Sequence, residues 1–174
     1  MNLLDSFDDF LSGWIEDLQR PEPDRGGGYT GATCPFAKTA QKNKKIKTVK
    51  VHDYFESYEF WSVVAQECET FDDKNDIVII AAMKKPNIIS QENISGAIDA
   101  LNTVMNVQKK DVWLLWGSPN QGLGAMYTIV LLQHLTATDD ASKVLEEKGY
   151  YVNRLSPNHH SHLVTERKKM RELL

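Results

Sequence analysis

Asp76-Ile77-Val78-Ile79-Ile80-Ala81-Ala82-Met83 is a continuous apolar run bounded by polar residues. Half-buried strands alternate apolar and polar side chains, whereas a run without alternation predicts a central strand covered on both faces. Helical patterns flank it. Upstream, Asp53-Tyr54-Phe55-Glu56 has an Asp followed three positions later by Glu, the signature of a capping box. The helix it opens reaches about Glu69, with Phe55, Tyr58, Trp61, Val64 and Cys68 on one face. Cys68 falls on that stripe and reads as an inert buried thiol. Downstream, Lys84-Lys85-Pro86-Asn87 turns the chain. Ser90 then caps a helix to about Gln108, whose stripe is Ile94, Ala97, Ile98, Leu101, Val104 and Met105.

Further strands follow the same logic. Ile46-Lys47-Thr48-Val49-Lys50-Val51 alternates apolar and charged residues, as a strand with one wet face does. Its lysines read as a solvated face rather than a phosphate-binding patch. Asp111 to Trp116 is a third strand, closed by Gly117-Ser118-Pro119-Asn120. Met126 to Leu135 fits a strand or a buried helix, and Tyr127, Thr128, Ile129 and Val130 favour the strand. Thr138, Asp139 and Asp140 start a short helix that ends at Lys148 before Gly149. Residues 150–162 read as irregular, and Leu163 to Leu174 as a last, solvated charged helix.

This succession predicts a single α/β (α+β) domain over residues 1–174, a sandwich of a mixed four-stranded sheet covered by helices. Ferredoxin-like is its nearest named architecture. The expected parts are an amphipathic N-terminal helix (1–20), a Pro/Gly-rich arm (21–33), an α/β core (34–150) and a loop with the C-terminal helix (151–174). In the N-terminal helix Leu3, Leu4, Phe7, Leu11, Trp14, Ile15 and Leu18 share a face, which packs on its own domain or docks a protein partner or second subunit.

A net charge of −4 argues against a general nucleic-acid coat. No apolar run approaches the roughly 20 residues of a membrane helix. An acidic N-terminus differs from secretory and transit peptides, and two cysteines, Cys34 and Cys68, provide no disulfide framework. Both features point to the cytoplasm.

Chemistry is suggested most strongly at Gly26-Gly27-Gly28-Tyr29-Thr30-Gly31-Ala32-Thr33-Cys34-Pro35-Phe36-Ala37-Lys38. A glycine-rich arm ends in Thr-Cys-Pro, and proline is favoured at the first position of a helix. Cys34 would then sit at the positive end of the helix dipole, which favours the thiolate. Its alternative role is a small apolar wedge at the helix start. Asn158-His159-His160-Ser161-His162 offers proton carriers in His159 and His162, or a metal clip without further ligands at recognisable spacing. His52 ends the first strand, and Ser118 and Asn120 follow the third, the strand ends where α/β sheets commonly hold ligands. Arg154 and the tail Arg167-Lys168-Lys169-Arg171 are candidate anion binders.

Trp14-Ile15, Cys34-Pro35-Phe36-Ala37, Asn153-Arg154-Leu155-Ser156-Pro157 and His162-Leu163 together resemble a family of uncharacterised bacterial proteins with no assigned activity. The resemblance implies that Cys34, Arg154 and His162 meet at a common site. The leading expectation is therefore a small enzyme acting on a small anionic substrate. Cys34 is its nucleophilic or redox thiol, His162 or His159 its proton carrier, and Arg154, His52, Ser118 and Asn120 its substrate-binding residues. Two alternatives stand beside it: a non-catalytic interaction module that docks through residues 2–19, and a metal- or haem-binding protein. No cofactor is assigned.

Overall fold

A computed structural model describes residues 3–19, 35–53, 55–83, 89, 91–117, 127–151 and 164–174. Within these residues lie six helices, α1 (Leu3–Gln19), α2 (Pro35–Lys42), α3 (Ser57–Thr70), α4 (Gln91–Val107), α5 (Leu135–Glu147) and α6 (Glu166–Glu172). The four strands are β1 (Ile46–Val51), β2 (Ile77–Ala82), β3 (Trp113–Trp116) and β4 (Thr128–Gln133). They form one mixed sheet in the order β1-β2-β4-β3. β1 pairs parallel with β2, and β4 lies antiparallel between β2 and β3. The three strands joined by helices therefore point the same way.

A mixed four-stranded sheet covered by helices is what the sequence predicts. The ferredoxin-like order is not what forms. That architecture runs strand–helix–strand–strand–helix–strand, whereas here the core reads strand–helix–strand–helix–strand–strand. The last strand inserts antiparallel beside β2 and displaces β3 to the edge.

Every side chain of β2 and β4 is buried, because both faces of the sheet are covered. Side chains alternate across a strand, so Val78, Ile80 and Ala82 join Val130, Leu132 and Leu114 under α3 and α4, through Phe60, Val64, Cys68, Ile94, Ile98 and Met105. Ile77, Ile79 and Ala81 face the other way with Ile129 and Leu131, under Phe7, Leu11 and Ile15 of α1 and Ala37 and Ala40 of α2. Phe7, Leu11 and Ile15 of the α1 stripe are thus packed on its own sheet, with Trp14 partly buried beside them. Phe7 meets Tyr127 edge-on with ring centroids 5.0 Å apart. No helix among the described residues is long and apolar enough to cross a membrane.

The lysines of β1, Lys47 and Lys50, and Lys45 just before it are paired. Lys45 Nζ lies 3.3 Å from Asp76, Lys47 Nζ 2.6 Å from Glu67, and Lys50 Nζ 2.7 Å from Asp8. They tie the edge strand to its neighbours.

Several helix ends differ from expectation. α3 starts at Ser57 rather than after Asp53, because the working box is Glu56 and Glu59: the Glu59 carboxylate accepts the Glu56 backbone N–H at 2.8 Å. Phe55 falls outside the helix, and the buried face is Phe60, Val64 and Cys68, at i, i+4 and i+8, which leaves Tyr58 exposed. α5 starts at Leu135, ahead of Thr138, because Asp111 supplies the cap from another element. Its two carboxylate oxygens accept the Thr136 N–H and Oγ1–H, each at 2.7 Å. The C-termini of α2, α4 and α5 share one device. Lys44, Lys109 and Gly149 adopt φ of 56°, 59° and 75°, and the following residue's N–H donates back to the carbonyl of Ala40, Met105 or Leu145. This is the Schellman arrangement, normally built on glycine.

Candidate functional site

Because β1, β2 and β3 are co-directional, their carboxyl ends share one edge of the sheet. Crevices outside that edge are the usual ligand sites of α/β sheets. Here the Met83 N–H donates to the Val51 carbonyl, and the Gly117 N–H to the Ile129 carbonyl, both at 2.9 Å, closing the ends of β1–β2 and β3–β4. His52 follows Val51 at this edge and is exposed.

Of the residues singled out in the sequence, Cys34, Arg154, His159, His162, Ser118 and Asn120 lie outside the described residues. Their chain neighbours are described. Cys34 directly precedes Pro35, the first residue of α2, and Ser118 directly follows Gly117. α2 is laid on the sheet through Ala37 and Ala40 and reaches β1 by a tight turn, so its last turn adjoins Ile46 at the amino edge. Its first turn is the end remote from Ile46, roughly 12 Å away along eight residues.

The opposite, amino edge carries a cleft of about 200 Å³ between Phe71, Asp72, Asp73, Lys110, Asp111 and His134. The His134 ring lies against Phe71, centroids 4.7 Å apart. Its Nδ1 is 3.4 Å from an Asp111 oxygen and its Nε2 3.9 Å from an Asp73 oxygen. The Asp111 oxygens are committed to capping α5, which makes this an architectural corner. Glu69 and Lys110 pair at its rim. The Lys110 hydrogen bond holds the Glu69 carboxyl below its ordinary range, and the Lys74 backbone N–H does the same for Asp72. No group of three or more His, Cys, Asp or Glu among the described residues is placed to hold a metal.

The C-terminal helix departs most from its reading. Arg167 is buried rather than solvated, and Asp139 beneath it is buried too. Arg167 Nε stands 3.7 Å from Asp139 Oδ1, and Arg171 donates to Asp139 Oδ2 at 2.9 Å and to Asp140. Arg167 also donates to Ser142, whose hydroxyl shares a 2.6 Å hydrogen bond with Tyr151. Burial pushes the Arg167 guanidinium below its ordinary range, opposed by Tyr151 and Asp139. Arg171 is raised and Asp140 lowered, each chiefly by their mutual hydrogen bond. These arginines, read from the sequence as candidate anion binders, are therefore engaged by the protein's own carboxylates and anchor α6 on α5.

Cys68 matches its reading. It is buried in α3, and desolvation pushes its thiol up to about 12.

Three residues carry roles that the sequence did not show: Asn102, whose side-chain amide bonds the Leu114 backbone, Asp111, read only as the start of a strand, and Asp139, read only as part of a helix start. Each acts on a residue distant in the chain, which local spacing cannot show. No family model matches the chain, and no curated protein or solved structure is significantly similar to it.

Proposed function

We propose that this protein is a small cytoplasmic enzyme whose nucleophilic or redox thiol is Cys34, acting on a small anionic substrate. The observation that carries the reading is that α2 begins at Pro35, one residue beyond Cys34. The residue preceding the first helical position faces the orphan N–H groups and the positive end of the helix dipole, which stabilise a thiolate. Three further features support it. α2 is held on the sheet by buried alanines, which fixes the helix end. His52 stands exposed at the carboxyl edge of β1 and supplies an imidazole there. The other cysteine, Cys68, is withdrawn into the core as a neutral thiol. In this reading Arg154 binds the substrate's anionic group, and His162 or His159 moves the proton.

Burial of Cys68 simplifies the test, since native wild-type chain should report only Cys34. The measurement is the rate of iodoacetamide alkylation against pH, with the labelled peptide identified by mass spectrometry. Rapid labelling of Cys34 with a midpoint well below the ~8.5 of a free thiol is expected. A midpoint at or above that value, or labelling only after denaturation, removes the enzyme reading and leaves Cys34 as a structural residue of an interaction protein.

A further inference from the structure

The two edges of the sheet are finished differently. At the β3 edge the Asn102 amide meets the Leu114 backbone, accepting its N–H at 2.8 Å and donating to its carbonyl at 3.1 Å. At the β1 edge no side chain plays that part among the described residues. The Met83 N–H donates to the Val51 carbonyl at 2.9 Å, which fixes the phase of the parallel β1–β2 ladder: Lys47, Val49 and Val51 turn their backbone groups toward β2. Ile46, Thr48 and Lys50 therefore turn theirs outward, and these N–H and C=O groups have no partner among the described residues. Unpaired edges template pairing with another chain, and proteins commonly blunt them with charged side chains, lysine above all. Here that defence is withdrawn. Lys47 Nζ is held 2.6 Å from Glu67 of α3, and Lys50 Nζ 2.7 Å from Asp8 of α1. Both charges are answered within the chain, and each ammonium is drawn onto a helix.

We propose that this edge is the interface with a second copy of the chain. β1 pairs antiparallel with β1 of that copy about a two-fold axis at Thr48, and the two four-stranded sheets become one. The occupant follows from the register. Hydrogen-bonded pairs of an antiparallel ladder join residues whose backbone groups face each other. With Thr48 opposite its own copy, Ile46 falls opposite Lys50, so the three outward residues of each chain pair wholly with those of the other. The intervening pairs set Lys47 against Val49, and no lysine of the strand faces a lysine. An axis at Lys47 or Lys50 would instead oppose like charges, which is destabilising. The interface is independent of the chemistry assigned to Cys34.

The test is sedimentation velocity of the full-length protein from about 1 to 500 μM, with amide hydrogen exchange read by mass spectrometry at both ends of that range. Half-association at or below about 100 μM is expected, the range open to a small interface of one strand pair. On association the amides of Ile46, Thr48 and Lys50 should exchange at least about tenfold more slowly, while that of Val49, already bonded to β2, is unchanged. Thr48→Pro deletes the central donor of each copy, and because that N–H points away from β2 the β1–β2 ladder is kept. Thr48→Lys leaves the backbone alone and sets two like charges on the axis. Each variant should raise the half-association concentration at least about tenfold, with circular dichroism and the Val49 amide reporting an intact fold. A chain that stays monomeric to about 500 μM overturns the proposal and leaves the edge to an extended segment of another protein. So does a dimer that neither variant weakens, or one in which Ile46, Thr48 and Lys50 exchange as fast as in dilute protein.

Discussion

Asn102 closes an open sheet edge with a side chain. β3 is an edge strand, and at Leu114 its backbone N–H and C=O are met by Asn102: Oδ1 accepts the N–H at 2.8 Å and Nδ2 donates to the carbonyl at 3.1 Å. The amide therefore imitates one residue of a neighbouring strand, in a position only 3% exposed. Asn102→Ala removes both bonds and strands a buried donor and a buried acceptor, each worth about 1–3 kcal/mol when left unpaired. An adjoining cavity admits water to part of this surface, which offsets some of the loss. The net cost should be about 2–4 kcal/mol. At roughly 2–4 °C per kcal/mol for a chain of this length, the melting midpoint should fall by about 5–15 °C. Urea titration gives the free energy, and the Leu114 amide should lose hydrogen-exchange protection ahead of its β4 neighbours. An exposed edge also invites strand pairing between chains, so the variant should associate more readily. A loss below about 0.5 kcal/mol with Leu114 still protected would show that the amide is not the partner of this edge.

Asp139→Asn leaves the buried Arg167 without its counter-charge and should cost about 3–5 kcal/mol, with amides of α6 losing protection first; uniform loss across the chain would contradict a local anchor. Gly96 sits in the exposed face of α4 with nothing within 4 Å of an added Cβ, and Lys44 holds φ 56° at the end of α2. Gly96→Ala and Lys44→Gly should each raise stability by about 0.5–1 kcal/mol in urea titrations, and a decrease in either would refute the assigned backbone. The Cys68 thiol, raised by burial to about 12, is neutral in the fold and ionises near 9 in the unfolded chain. Its contribution is therefore fully present below pH 9 and declines by about 1.4 kcal/mol per pH unit as pH rises toward 12. Cys68→Ala should show a correspondingly shallower alkaline decline, whereas parallel curves would contradict a buried thiol.

What the sequence made legible was local. The unbroken apolar run at Ile77–Ala82 announces a strand covered twice, whereas the single wet face read at Ile46–Val51 does not form: Lys47 and Lys50 are three positions apart, so they lie on opposite faces of β1 and reach Glu67 of α3 and Asp8 of α1. The α4 stripe places Ile94, Ile98 and Met105 on the core but conceals Asn102 among them, because a polar residue on an apolar face reads as an interruption until its partner strand is known. The start of α5 was displaced by the same blindness: Thr138, Asp139 and Asp140 resemble a first turn, yet the capping carboxylate is Asp111, 25 positions before Thr136. Arg167 among lysines reads as solvated until Asp139 is brought beneath it. The inserted β4 is a matter of pairing, and no periodicity records which strand lies beside which. As for the site, the start of α2 at Pro35 and the position of His52 after β1 could be read directly from residue order.

The most direct test of the account is where Cys34 lies on the sheet. A nitroxide attached to Cys34, with buried Cys68 left unlabelled, broadens the amide signals nearest to it. The expected pattern is broadening at Val51, His52, Met83 and Gly117 along the carboxyl edge, with Ile77, Val112 and Trp113 spared. Broadening centred on the amino-edge residues, or no attachment to the native protein, would contradict a reactive thiol at the mouth of this sheet.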